Sequence, residues 1–74
     1  MIKHSEAADP NSCWNKAKDD EIVFVLLERD ADAPGTIRDW VARRIRRGKN
    51  KPDDAQMIEA LECARLMEIM REKR

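Results

Sequence analysis

The order of apolar and polar positions divides the chain into an irregular first half and a periodic second half. Residues 1–11 (MIKHSEAADPN) are polar, carry no period and close on Pro10-Asn11, which reads as a flexible N-terminal tail or a loosely docked arm. Ser12 is a natural capping residue for a short helix from Cys13 to about Lys18, with Trp14 and Ala17 on one face. After Asp19-Asp20-Glu21 comes an unbroken apolar run, Ile22-Val23-Phe24-Val25-Leu26-Leu27. Its length and β-branched content favour a buried strand over a helix, although a continuous run has no period to separate the two. A lone strand leaves unpaired backbone donors and acceptors along both edges. Its partner is therefore expected from a second chain, or the segment is an extended arm packed across helices.

The second half predicts two helices. Asp32-Ala33-Pro34-Gly35-Thr36 carries start signals: Thr36 and Asp39 stand at capping-box spacing, and Pro34 suits a first turn. This helix runs to Arg47 and stops at Gly48, a residue suited to the position just past a helix end. A short connector, residues 48–52 (GKNKP), leads to a second capping signal, Asp53 with Gln56, and a helix to about Glu72. On it Met57, Ala60, Leu61, Ala64 and Met67 recur at helical spacing, with Cys63 and Met70 alongside and Glu59, Glu62, Arg65 and Glu72 opposite. A connector this short joins antiparallel neighbours. The expected fold is thus mainly α: residues 12–74 form a single small helical domain with a short N-terminal helix, one extended or strand segment, and a C-terminal antiparallel two-helix hairpin.

Size changes the picture next. A chain of 74 residues buries only ~60% of the surface it exposes when unfolded, and such a core supplies about 3–5 kcal/mol, so small scaffolds lean on a disulfide, a metal or a partner. No metal or other cofactor is expected: His4 is the one histidine, and Cys13 and Cys63 have no second ligand at metal-binding spacing. No secretory leader or membrane span is apparent, so the thiols read as reduced and the chain as cytoplasmic. Self-association into a homodimer or larger closed oligomer is the remaining reinforcement.

Charge then singles out one region. Net charge is zero, but residues 1–32 carry four basic and eight acidic side chains, residues 33–51 seven basic and one acidic, and residues 52–74 four basic and six acidic. Segregation of this kind attracts an anionic ligand or a second copy of the chain. On the first long helix Ile37, Val41 and Ile45 form a stripe bordered by Trp40; Arg44 falls between Ile37 and Trp40, while Arg43 and Arg47 flank the indole's far side. An indole edged by guanidiniums suits a phosphate-bearing aromatic ligand, with the ring stacking a base and the arginines forking onto phosphate. The plainer reading makes Trp40 core, with Arg44 reaching carboxylates of the N-terminal half. Lys16 and Ser12 are candidate phosphate contacts, and Asp20 and Glu21 candidate acceptors for ribose hydroxyls. The methionines of the last helix read as ordinary core or as an adaptable partner groove. No nucleotide-binding loop, zinc-protease motif or nucleophile–histidine pair is present, so the chain reads as a binding protein and not an enzyme.

Residues 12–41, SCWNKAKDDEIVFVLLERDADAPGTIRDWV, resemble a group of small phage and prophage proteins with the pattern S-C-x-x-K-A, D-E-x-x-F-V-L, D, A-P and I/V-x-x-W. Ser12, Cys13, Lys16, Ala17, Asp20, Glu21, Phe24, Val25, Leu26, Asp30, Ala33, Pro34, Ile37 and Trp40 fit it, and GKNKPDDAQMIEALECARLME is similar to the group's C-terminal part. Ile22 departs from it, standing where proline is frequent, and so does the arginine density at the helix end. The resemblance implies phage origin and a host-directed role, since short phage proteins of this type include CRISPR inhibitors and sponges for nucleotide immune signals. The expected function is counter-defence by non-catalytic sequestration of a small phosphate-bearing nucleotide. The alternatives are a protein-binding inhibitor of a host defence complex and a nucleic-acid-binding accessory protein, with duplex DNA disfavoured by the acidic flanks.

Overall fold

A computed structural model of the protein describes residues 2–74. Among them the regular elements are helices: α1 (Lys3–Ala8), α2 (Cys13–Lys16), α3 (Ala33–Arg46) and α4 (Ala55–Lys73). They pack in consecutive pairs, α1 with α2 and α3 with α4, and neither helix of one pair packs on a helix of the other.

The larger pair is the expected hairpin, and its ends follow from local hydrogen bonding. Before α3, the Asp30 carboxylate accepts from the Asp32 amide at 2.9 Å and the Asp30 carbonyl from the Ala33 amide at 3.1 Å. Pro34 sits in the first turn, where an amide hydrogen has no partner to lose. Thr36 does not cap: its hydroxyl donates back to the Asp32 carbonyl at 2.9 Å, one turn earlier. At the other end Gly48 adopts φ 72°, and the amides of Gly48 and Lys49 donate to the carbonyls of Ile45 and Arg44, both at 3.0 Å. This pair of bonds is a Schellman closure, which satisfies carbonyls the helix end would otherwise leave open. Asp54, not Asp53, flanks α4; its carboxylate accepts from the Lys51 amide at 2.9 Å and from Asn50 Nδ2 at 3.0 Å, which holds its pKa below the usual carboxylate range.

Between α3 and α4 lies a small core. Ala33, Pro34 and Val41 are buried from one side and Met57 and Ala64 from the other, with Met57 the largest side chain wholly removed from water. Ile37, Ile45, Ala60, Cys63, Met67 and Met70 are half-buried. Leu61 was expected in this stripe and is exposed instead, together with Ile58 and Leu66. The apolar residues of α4 run most of the way around the helix, and a single neighbour covers only one face. Across the hairpin Arg38 forks onto Glu68, with Nη1 3.2 Å from Oε2 and Nη2 2.5 Å from Oε1.

The N-terminal part departs from expectation twice. Residues 1–11 read as a tail, yet Lys3–Ala8 form α1; Met1 lies outside the described residues. The cause is downstream. The Ser12 hydroxyl donates to the Glu6 carbonyl at 2.6 Å while accepting from the Asn15 amide at 3.2 Å. Asn15 Nδ2 lies 3.0, 3.0 and 2.8 Å from the carbonyl oxygens of Glu6, Ala7 and Asp9. The residue capping α2 and a side chain within it thus satisfy the open end of α1. The second departure is the apolar run. Residues 22–27 form no strand and pair with no other extended segment among the described residues; Ile22 is 97% and Phe24 86% exposed, Val23, Val25 and Leu27 are about half exposed, and Leu26 is the most covered of the six. Within one chain the run is neither a paired strand nor an arm buried across helices. Beyond the run, Glu28 meets Arg74 Nε at 2.7 Å, tying this stretch to the end of α4.

The result is open. The chain exposes 6396 Å², whereas a compact monomer of 8.6 kDa exposes about 4,700 Å². Its radius of gyration is 13.1 Å against about 11 Å for a compact chain of this length.

Two outcomes follow. Gly48→Ala places a side chain at positive φ and should lower unfolding free energy by about 1–2 kcal/mol in denaturant titration. Gly35→Ala, inside α3 with open space around its Cα, should leave stability unchanged or raise it by up to about 1 kcal/mol. The second outcome concerns acid. Glu68 has a pKa lowered first by its hydrogen bond from Arg38, so its contribution is present above the unfolded carboxylate pKa and disappears as pH falls through the folded value. Melting temperature should therefore fall with acidification in the wild type and fall less steeply in Glu68→Gln.

Candidate functional site

Trp40, Arg43 and Arg44 share one face of α3 at helical spacing, on the half nearest the connector, and Arg47 follows as the residue that caps its C-terminus. Arginine is favoured here because the helix C-terminus carries partial negative charge. The Arg44 guanidinium carbon lies 5.6 Å from the centroid of the Trp40 ring, within cation–π range. Its Nε donates to Asn50 Oδ1 at 2.7 Å. Asn50 in turn donates through Nδ2 to Asp54 Oδ2 at 3.0 Å and to Gln56 Oε1 at 3.4 Å. A chain of side chains from indole through guanidinium, amide and carboxylate thus runs from α3 across the connector to the start of α4. Trp40 is 40% exposed, so the indole is neither core nor free surface.

Arg44 does not reach a carboxylate of the N-terminal half; its partner is the connector's Asn50. Of the seven basic residues between 33 and 51, Arg38 alone forms an ion pair among the described residues. Arg43, Arg44, Arg46, Arg47, Lys49 and Lys51 remain without a carboxylate partner. Their charge is concentrated at one end of the hairpin.

The other expected site residues stand elsewhere. Ser12 is buried and its hydroxyl is fully engaged between α1 and α2. Lys16 and Glu21 line an open groove with Cys13, Ala17, Ile22 and Val23. Glu21 accepts from the Lys18 amide at 3.0 Å, and Asp20 is exposed without a hydrogen bond or ion pair among the described residues. Because α2 and α3 do not pack together, one chain does not bring Ser12 or Lys16 against Trp40, and no bond joins Asp20 or Glu21 to α3. The expected eight-residue constellation therefore separates into a group on α3 and a group around α2.

Sequence reading missed Asn50. The residue that fixes Arg44 sits in a connector whose polar letters carry no period, and the available signal was its position two residues after a helix-ending glycine. Among the described residues no group of His, Cys, Asp and Glu is arranged to hold a metal ion. Cys13 is an exposed free thiol and Cys63 a half-buried one. Among the described residues no helix is long and apolar enough to cross a membrane. No family model matches the chain, and no curated protein or solved structure matches it.

Removing the amide that holds the guanidinium should be visible at the indole. In a Trp14→Phe background, where Trp40 is the single fluorophore, Asn50→Ala should shift emission to longer wavelength and cost about 1 kcal/mol. An unchanged spectrum would mean that Arg44 keeps its place without Asn50.

Proposed function

We propose that the protein acts without catalysis, binding and sequestering a small phosphate-bearing nucleotide at the α3 end of the hairpin. One observation carries this reading: a half-exposed indole with the Arg44 guanidinium against it stands at the end of the hairpin where six cationic side chains lack carboxylate partners among the described residues. Uncompensated arginines next to an aromatic face match the two halves of a nucleotide, phosphate and base. Arg44 has its Nε occupied by Asn50, which leaves the two terminal nitrogens of a guanidinium already fixed in direction. Such pre-organisation reduces the entropy lost when a phosphate is bound. Arg47, one turn on, supplies a second fork. Lys16, Asp20 and Glu21 join this site only through a second copy that brings its α2 beside α3. The likeness to small phage proteins sets the reading in a counter-defence context, where capture of a signalling nucleotide needs affinity and no turnover.

A second reading, a protein-binding inhibitor of a host defence complex, is favoured by the exposure of Ile22, Phe24 and Val25. Duplex DNA suits the site less well. The α3 helix packs against α4, and acidic segments flank the basic one on both sides.

Calorimetry against linear and cyclic adenine and guanine nucleotides tests the proposal. Wild type should bind one class, and Arg47→Ala should weaken it about 10- to 100-fold, the worth of a charge-assisted hydrogen bond, with an unchanged melting temperature. Absence of binding across the panel would move the assignment to the protein-binding reading.

A further inference from the structure

We propose that the apolar arm, residues 22–27, is covered by a second copy of the same chain, guided there by the acidic turn that precedes it and the basic end of α3. Three observations point to this occupant. The arm holds six consecutive apolar residues, of which Ile22 and Phe24 are almost wholly exposed and Val23, Val25 and Leu27 about half. An apolar stretch of this kind in water is the signature of a surface that is buried in use.

Area decides the kind of partner. The chain exposes 6396 Å², roughly 1,700 Å² more than a compact monomer of its mass. A standard stable interface removes about 800 Å² from each partner, so the excess accommodates one such contact and has room for a second. Exposed Leu61, Ile58 and Leu66 on α4 provide further apolar surface of the same chain.

Charge selects a copy of itself over an arbitrary apolar partner. Asp19 and Asp20, immediately before the arm, make no ion pair among the described residues, and Arg43 and Arg46 on the solvent side of α3 make none either. Within one chain α2 and α3 are not packed together. Two copies can satisfy both sets at once, with the acidic turn of one against the basic helix end of the other while the arm lies between them. Complementary charge of this sort fixes orientation and speeds association more than it adds affinity. Arg43 and Arg46 belong to the same cationic cluster as the proposed nucleotide site, but Arg44 and Arg47, which fork onto phosphate in that reading, lie outside this pairing, and mass is read without any nucleotide present.

Sedimentation and light scattering over a dilution series read the outcome as mass. Wild type should be a dimer or larger closed oligomer at micromolar concentration, and Phe24→Asp should be monomeric with an unchanged helical circular dichroism spectrum. The steering charges are tested separately: Asp19→Lys with Asp20→Lys should weaken association, as should Arg43→Glu with Arg46→Glu, and the four substitutions combined should restore it. A wild type that remains monomeric at every concentration overturns the proposal. So does a Phe24→Asp protein that keeps the wild-type mass. If the combined charge exchange fails to recover the oligomer, the acidic turn and the α3 end are not the paired surfaces.

Discussion

Everything ordered in the second half of this chain depends on the reversal at Gly48. A helix end leaves carbonyl oxygens without donors, and here the amides of Gly48 and Lys49 return to Ile45 and Arg44 because the glycine reaches a φ of 72° that side chains resist. That closure sends the connector back along α3, brings Asn50 within reach of Arg44, and lets Met57 enter the hairpin. The buried set is small, and two of its members are alanines. With so little apolar area removed from water, the direction imposed by the turn and the fork of Arg38 on Glu68 matter more than they would in a larger domain.

What could be read beforehand follows from how local each cause is. The α3–α4 hairpin was legible because a glycine stop, a short connector and a helical apolar period are all written within a few residues of where they act. The cap of α2 by Ser12 was equally local. α1 was not legible, because the groups that complete it, Ser12 and Asn15, belong to the following helix. The form of the arm was not legible for a related reason: an apolar run asks for burial, and no helix of the same chain covers it. Leu61 failed because α4 is apolar on more than one side and the period alone does not say which side meets α3.

The candidate site divides along the same line. Trp40 and Arg44 were placed together by spacing on one helix, and the structure puts them in contact. Ser12, Lys16, Asp20 and Glu21 were joined to them by chemical suitability alone, and no packing between α2 and α3 supports that union within one chain. Asn50 shows the reverse case: no chemistry is suggested by an asparagine in a polar connector until its carbonyl oxygen is seen 2.7 Å from a guanidinium nitrogen.

The separation of the two helix pairs has a consequence for how the molecule engages anything larger than one of them. Joined by the connecting segment, whose Glu28 meets Arg74 at the end of α4, and with no packing between their helices, the pairs act as two heads on one tether. A target that touches both is held by the second as soon as the first has landed, at an effective concentration fixed by tether length and not by how much protein is present. Such avidity falls only slowly as a flexible tether lengthens. A change in length between Lys18 and Leu27 therefore alters how far apart the pairs reach and leaves the turn that starts α3 in place.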